Sequence, residues 1–392
     1  MVSHESAQTE STPNGLTLEN QEGRRGEIIG AVDIELDRRL HERFSTEEFH
    51  NPTHSYEVDE RSKRTLDAIK EVDPLLVTED DDVIRHTTAR GHDVVINYIS
   101  IANRYLDLPS STGLIKNPAY GNRMRFRGFA PGEVPQQLWP RQFSEGQPTG
   151  IGPEPVGNER ASANETIEIV SRIDPNGEVY NQHVKDGIVE AIGATYPAVE
   201  PKAVPSDIKV IASDREIGID DLKPYLEEGN KAFRFYQKHL TPKSSLPALS
   251  VALGDLAYSG VVDETDVLQK GNAEYQETRD LTRYELAKGI DQIPDSRKVE
   301  IVADMSSWIR SQVQFFLWQK INFAEIIASN EIINSSPKAD QIKQTLSDMY
   351  NKFDANVVAA MDRYDEVQHF LHAVTDPAEQ LKALAANLGY TV

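Results

Sequence analysis

Residues 220 to 388 read as nearly unbroken amphipathic helix, whereas residues 109 to 215 are crowded with proline, glycine and arginine. Helical stripes that long must bury their apolar faces against one another, so the contrast predicts a mainly α protein. The expected architecture is a C-terminal helical bundle over 216–392 packed on an N-terminal helical segment over 27–108. A Pro/Gly-rich loop and small β portion over 109–215 should fold across their junction as a small α+β part. Residues 1–26 are polar and read as a disordered tail.

Within that frame, Ile28, Val32, Leu36, Leu40 and Phe44 recur at helical spacing, and the pattern stops before Asn51-Pro52. A second helix is expected over 60–71 and a third from Thr78 or Glu79 to Leu106. The third opens on four acidic residues that suit the positive end of a helix dipole. Asn176-Gly177 between ETIEIVSRID and EVYNQHV suggests a hairpin, and DIKVIA over 207–212 a short strand. Further helices are expected over 219–240, 247–258, 263–288, 295–333, 339–374 and 377–388. In the fourth of these, Ile301, Met305, Trp308, Ile309, Val313, Phe316, Ile321 and Ile327 mark an inner stripe. The consecutive residues Phe315, Phe316, Leu317 and Trp318 make this helix apolar on several sides, which places it at the centre of the bundle.

Composition narrows the function classes. A formal charge of -22, from 63 acidic against 41 basic residues, opposes electrostatic attachment to nucleic acid or an anionic membrane. The absence of cysteine removes disulfides, thiolate nucleophiles, iron–sulfur clusters and Cys-ligated zinc, so any metal must be held by His, Asp or Glu. No apolar run approaches the roughly 20 residues of a membrane helix, and the first residues lack a secretory signal. A cytoplasmic, homo-oligomeric protein is expected.

Two constellations point to chemistry. Glu366 and His369 are three residues apart on one helix, the spacing by which carboxylate-bridged di-iron sites take two ligands from one element. Glu277 and Glu325 are the carboxylates available on facing helices. Iron is the metal this set implies; the plainer alternative is a solvated helix face. Histidines also gather early, at His41, His50, His54, His86 and His92, and any of these, or His369 or His372, is a possible metal or axial haem ligand. Separately, Arg123, Arg125 and Arg127 alternate with Met124 and Phe126, so an extended backbone sets three guanidinium groups on one side. That side suits a carboxylate or phosphate, or pairs with the protein's own acidic groups.

No phosphate loop, nucleophile elbow, dinucleotide fingerprint or kinase signature occurs. These readings together predict an enzyme acting on a small anionic or aromatic substrate. Arg123, Arg125 and Arg127 would hold the substrate, and Glu277, Glu325, Glu366 and His369 a metal for oxidative chemistry. The competing expectation is a structural or assembly protein such as a shell, virion or scaffold component without catalytic activity.

Overall fold

The computed structural model describes residues 18–44, 49–94, 158–212, 215–226 and 231–391. They form a mainly α fold with two small two-stranded antiparallel ribbons. The first three helices are α1 (Leu18–Phe44), α2 (Pro52–Val72) and α3 (Glu79–Gly91). The chain resumes with α4 (Asn158–Ile173) and α5 (Gln182–Ala194), followed by the strands β1 (Pro197–Ala203), β2 (Val210–Ala212) and β3 (Arg215–Ile217). A helical turn, α6 (Ile219–Leu222), leads to β4 (Lys231–Gln237). The remaining helices are α7 (Leu246–Leu256), α8 (Glu264–Thr278), α9 (Asp280–Ala287), α10 (Asp295–Ser329), α11 (Glu331–Ser335), α12 (Ala339–Met349), α13 (Phe353–Ala373) and α14 (Pro377–Asn387).

Local chemistry sets the helix starts. Thr78 caps α3 through a full capping box with Asp81, and Asn51 caps α2, with Pro52 in the first turn where its missing N–H costs nothing. The break expected at Asn51-Pro52 is therefore a helix start, and α2 begins eight residues earlier than the 60–71 pattern suggests.

α10 is the central helix. Phe316, Leu317 and Trp318 are almost fully buried and pack against Leu222, Val357 and Met361. Towards its N-terminus, Ile301, Met305 and Ile309 share a core with Tyr275 of α8 and Leu381 and Leu384 of α14. Towards its C-terminus, Phe323 and Ile327 join Leu66, Leu249, Leu346 and Tyr350. The N-terminal helices build a further core, in which Val32, Ile84, Val170, Tyr180 and Ile188 meet Ala248 and Ala252 of α7. α7 thus belongs to both halves and carries apolar side chains on most of its surface.

Three expectations are corrected. The 165–184 segment is not a hairpin: Ala163, Thr166, Ile169 and Val170 bury at helical spacing along α4, and α5 follows. The Asn176-Gly177 turn is real, with Gly177 at φ 67°, but it links helices. There the Asp174 carboxylate accepts from the backbone N–H groups of Glu178, Val179 and Tyr180. The helix expected over 219–240 stops after a few residues, because Pro224 and the alternating KAFRFYQ run favour a strand, and β4 pairs with β1 from Pro197↔Gln237 to Ala203↔Lys231. Long helices expected over 263–288, 295–333 and 339–374 each break once. At Asn330, for example, the buried side chain caps the amide of Ile333 and donates to the carbonyl of Ser244.

Among the described residues no helix is long and apolar enough to cross a membrane.

Candidate metal centre

Where α2, α3 and α7 meet, four side chains converge: His54, His92, Asp93 and Asp255. His54 sits in the first turn of α2, its amide held by the Asn51 side chain at 3.2 Å. His92 and Asp93 follow the end of α3, and Asp255 lies in the last turn of α7.

Two glycines permit the approach. A Cβ on Gly254 would come within 3.0 Å of the carbonyl oxygen of Val58 and the amide nitrogen of Ser62, so α7 crosses α2 backbone to backbone beside Asp255. Arg61 reinforces that crossing by donating from Nε to the carbonyl of Gly254 at 2.6 Å. At the end of α3, a Cβ on Gly91 would lie 2.5 Å from Oγ1 of Thr166, so α4 packs directly under the residue that precedes His92.

The geometry of His54, His92 and Asp255 fits a metal ligand set, with Asp93 adjoining it. Nε2 of His54 lies 3.3 Å from Oδ1 of Asp255 and 3.6 Å from Oδ2 of Asp93. Nε2 of His92 lies 3.3 Å and 3.9 Å from the corresponding atoms of Asp93 and Asp255. Donor atoms bound at about 2.1 Å to one tetrahedral or octahedral cation are roughly 3.0–3.4 Å apart, so these separations need only a small contraction. Ligand atoms of His54, His92 and Asp255 all lie within 4.8 Å of one another.

The protonation pattern points the same way. Nδ1 of His92 is 2.8 Å from the carbonyl oxygen of Ala89, a contact that only an Nδ1–H satisfies. In the neutral ring Nε2 then presents a lone pair, and this buried atom has no hydrogen-bond partner. It faces two carboxylates. An acceptor facing acceptors in a buried site is unfavourable unless the ring is charged or a cation lies between them. Tying Nδ1–H of a histidine to a backbone carbonyl is also the usual way of orienting a metal ligand. Burial lowers the pKa of His54 despite the opposing influence of Asp255 and Asp93, which favours the neutral imidazole that binds metals.

His92, Asp93 and Asp255 border a cavity of about 140 Å³. Its polar lining comes from His50, His92, Asp93, Glu159, Asp255 and Glu274, and its aromatic lining from Phe235, Trp308, Phe315 and Phe316. His50 is held by Glu277, which takes its Nδ1 at 2.5 Å and the backbone amides of Phe49 and His50 at 2.8 Å. A second, more open groove shares Phe49 with this cavity, takes in His54, and carries Arg61, Arg64 and Lys270 beside Glu57, Glu60 and Asp266.

The residues singled out in the sequence are dispersed by the fold. Glu277 is buried and does meet a histidine, His50. Glu325 is half exposed and bound to Arg234 at 2.8 Å. Glu366 and His369 are exposed on α13, where Gln368 between them bonds Ser306 of α10 at 2.8 Å. Ser306 and Glu325 are 19 residues apart on α10, or about 28 Å along its axis, so the four expected ligands do not form one set. His372 is also exposed and bonds the carbonyl of Gln368. Arg123, Arg125 and Arg127 lie outside the described residues. Sequence spacing missed Asp93 and Asp255; the visible signal was the His92-Asp93 dipeptide ending a capped helix within the early histidine cluster.

Compared with protein-family models, characterised proteins and solved structures, the chain gives no match.

Proposed function

We propose that the protein is a metal-dependent hydrolase of small phosphoesters, with a divalent cation held by His54, His92, Asp93 and Asp255. The observation that carries this reading is the buried Nε2 of His92, fixed by its Nδ1–H bond to Ala89 and directed at two carboxylates. Two imidazoles and two carboxylates suit Mn²⁺, Fe²⁺ or Zn²⁺ and exclude the thiolate-preferring ions. Such a cation supplies Lewis acidity and a bound water acidic enough to ionise near neutral pH.

The chain's own residues supply the rest. Asp93 and Asp255 balance the cation's charge, leaving the centre neutral and receptive to a phosphoryl oxygen. In the adjoining groove Arg64 offers a cationic contact for an anionic substrate, while Arg61 and Lys270 are engaged by Glu57. His50, oriented by Glu277, lines the cavity, and in this reading it exchanges a proton with a bound substrate. Trp308, Phe315 and Phe316 provide an apolar wall for the organic part of the ester.

A second reading keeps oxidative chemistry. His54, His92 and Asp255 have the composition of the two-histidine, one-carboxylate triad that holds non-haem iron with open positions. One experiment separates the two. Purified protein is stripped with chelator, reloaded with Mn²⁺, Zn²⁺ or Fe²⁺, and assayed on p-nitrophenyl phosphate, bis(p-nitrophenyl) phosphate and p-nitrophenyl acetate, with oxygen uptake followed alongside. Metal-restored phosphoester cleavage, lost in Asp255→Asn, supports the hydrolase. Acetate cleavage alone moves the assignment to carboxylic esters, and oxygen uptake with iron alone supports the oxidative reading. Failure of all divalent cations to bind overturns both.

A further inference from the structure

The metal-side cavity ends at a partition of three side chains, Phe235 of β4, Phe315 of α10 and Leu256 of α7. On the far side lies a second cavity of about 150 Å³, and the same three residues line both. The two rings meet edge to face, with centroids 5.1 Å apart and planes at 90°. All three side chains are only partly buried, although their neighbours Leu253, Ala257, Phe316 and Leu317 are buried. Tightly packed interiors rarely leave void on both sides of one layer of side chains. Leu256 directly follows Asp255, so the partition begins one residue from the metal centre.

The chambers differ in character. The metal side has the volume of a cavity that takes one benzene-sized group. The far side has an apolar floor of Leu240, Leu253, Phe323 and Ile326, and a polar rim at Arg234 and Asn322. Arg234 is tied to Asn322 and Glu325, and Asn322 donates in turn to the carbonyl of Phe235. The rim thereby holds the strand that carries one of the partition rings.

We propose that the two cavities are halves of one substrate channel, and that the substrate is an amphiphilic phosphoester. Its phosphoryl group sits at the metal and its apolar chain passes between Phe235 and Phe315 onto the floor of the second cavity. Phe315 is then the residue that sets chain-length specificity. A phenyl ring turns about two side-chain bonds, so the passage opens without backbone movement. Each methylene that crosses is removed from water, which tightens binding by roughly fourfold. The phosphoryl end of this inference rests on the hydrolase reading above; the passage itself does not.

The test measures binding of methyl-, butyl- and octylphosphonate to the Mn²⁺-loaded full chain by calorimetry, and of 1-octanol, which has no metal-binding group, to the metal-free chain. Octylphosphonate should bind at least tenfold more tightly than methylphosphonate. Phe315→Trp should abolish that preference and the binding of 1-octanol, while Phe315→Leu should keep both. If 1-octanol binds in a Phe315-dependent manner but no phosphonate does, the channel stands and the metal-hydrolase reading falls. If methylphosphonate binds and neither a longer chain nor a change at Phe315 alters affinity, the channel is refuted. Thermal unfolding of each variant identifies one that has failed to fold, and Phe235→Leu then replaces Phe315→Leu in the same series with the same expected result.

Discussion

Nε2 of His92 lies 3.3 Å from Oδ2 of Asp93, its immediate neighbour in the chain, just past the end of α3. Both groups also approach His54 and Asp255 across the α2–α7 crossing.

That convergence predicts metal-linked stability. Addition of Mn²⁺ or Zn²⁺ to chelator-treated protein should stabilise it by about 2.7 kcal/mol when the free ion is a hundredfold above its dissociation constant. The thermal midpoint reads this directly. His92→Ala and Asp255→Asn should lose most of the shift, whereas His369→Ala, an exposed change on α13, should retain it.

The α2–α7 crossing predicts that Gly254→Val destabilises the fold by about 1–3 kcal/mol. The added carbon meets the backbone of Val58 and Ser62, which cannot rotate aside as a side chain would. Denaturant titration gives the loss. Metal affinity should fall with it, since Asp255 moves with Gly254.

His86 predicts a pH dependence of stability. Burial alone would lower its pKa, but hydrogen bonds to Asp33 through Nε2 and Asp59 through Nδ1 outweigh burial and raise it to about 9. A histidine pKa raised on folding stabilises the native state fully below the unfolded value of about 6.5. The contribution, about 3 kcal/mol, is then lost as the pH rises towards 9. Unfolding free energies measured at intervals from pH 6 to 10 should fall across that window, and His86→Gln should remove this component.

Arg363 predicts the effect of emptying a polar cage. Its buried guanidinium donates to Gln312, Asn272 and Asn387, all neutral acceptors, and burial lowers its pKa to about 10. Arg363→Met leaves those acceptors unpaired and should cost about 2–4 kcal/mol, read by chemical denaturation. Gln312 lines the metal-side cavity, so ligand binding there should weaken more in Arg363→Met than in a variant matched for stability.

What the amino-acid sequence determined by itself was the local order. The run Phe315 to Trp318 marked the central helix, and the acidic opening after Thr78 marked the start of α3. Both signals are contained within a few residues, through apolar periodicity and side-chain capping. The same locality misreads 165–184 and 219–240, where short apolar runs fit either helix or strand until their neighbours are known. The early histidine cluster was visible too, yet its meaning was not. His54, His92, Asp93 and Asp255 are brought together by the packing of α2, α3 and α7 through close contacts at Gly91 and Gly254, and no spacing along the chain encodes a contact between residues 54 and 255. Conversely, Glu366 and His369 had a suggestive spacing but face outward, because the apolar stripe of α13, not the pair itself, decided which side of that helix was buried.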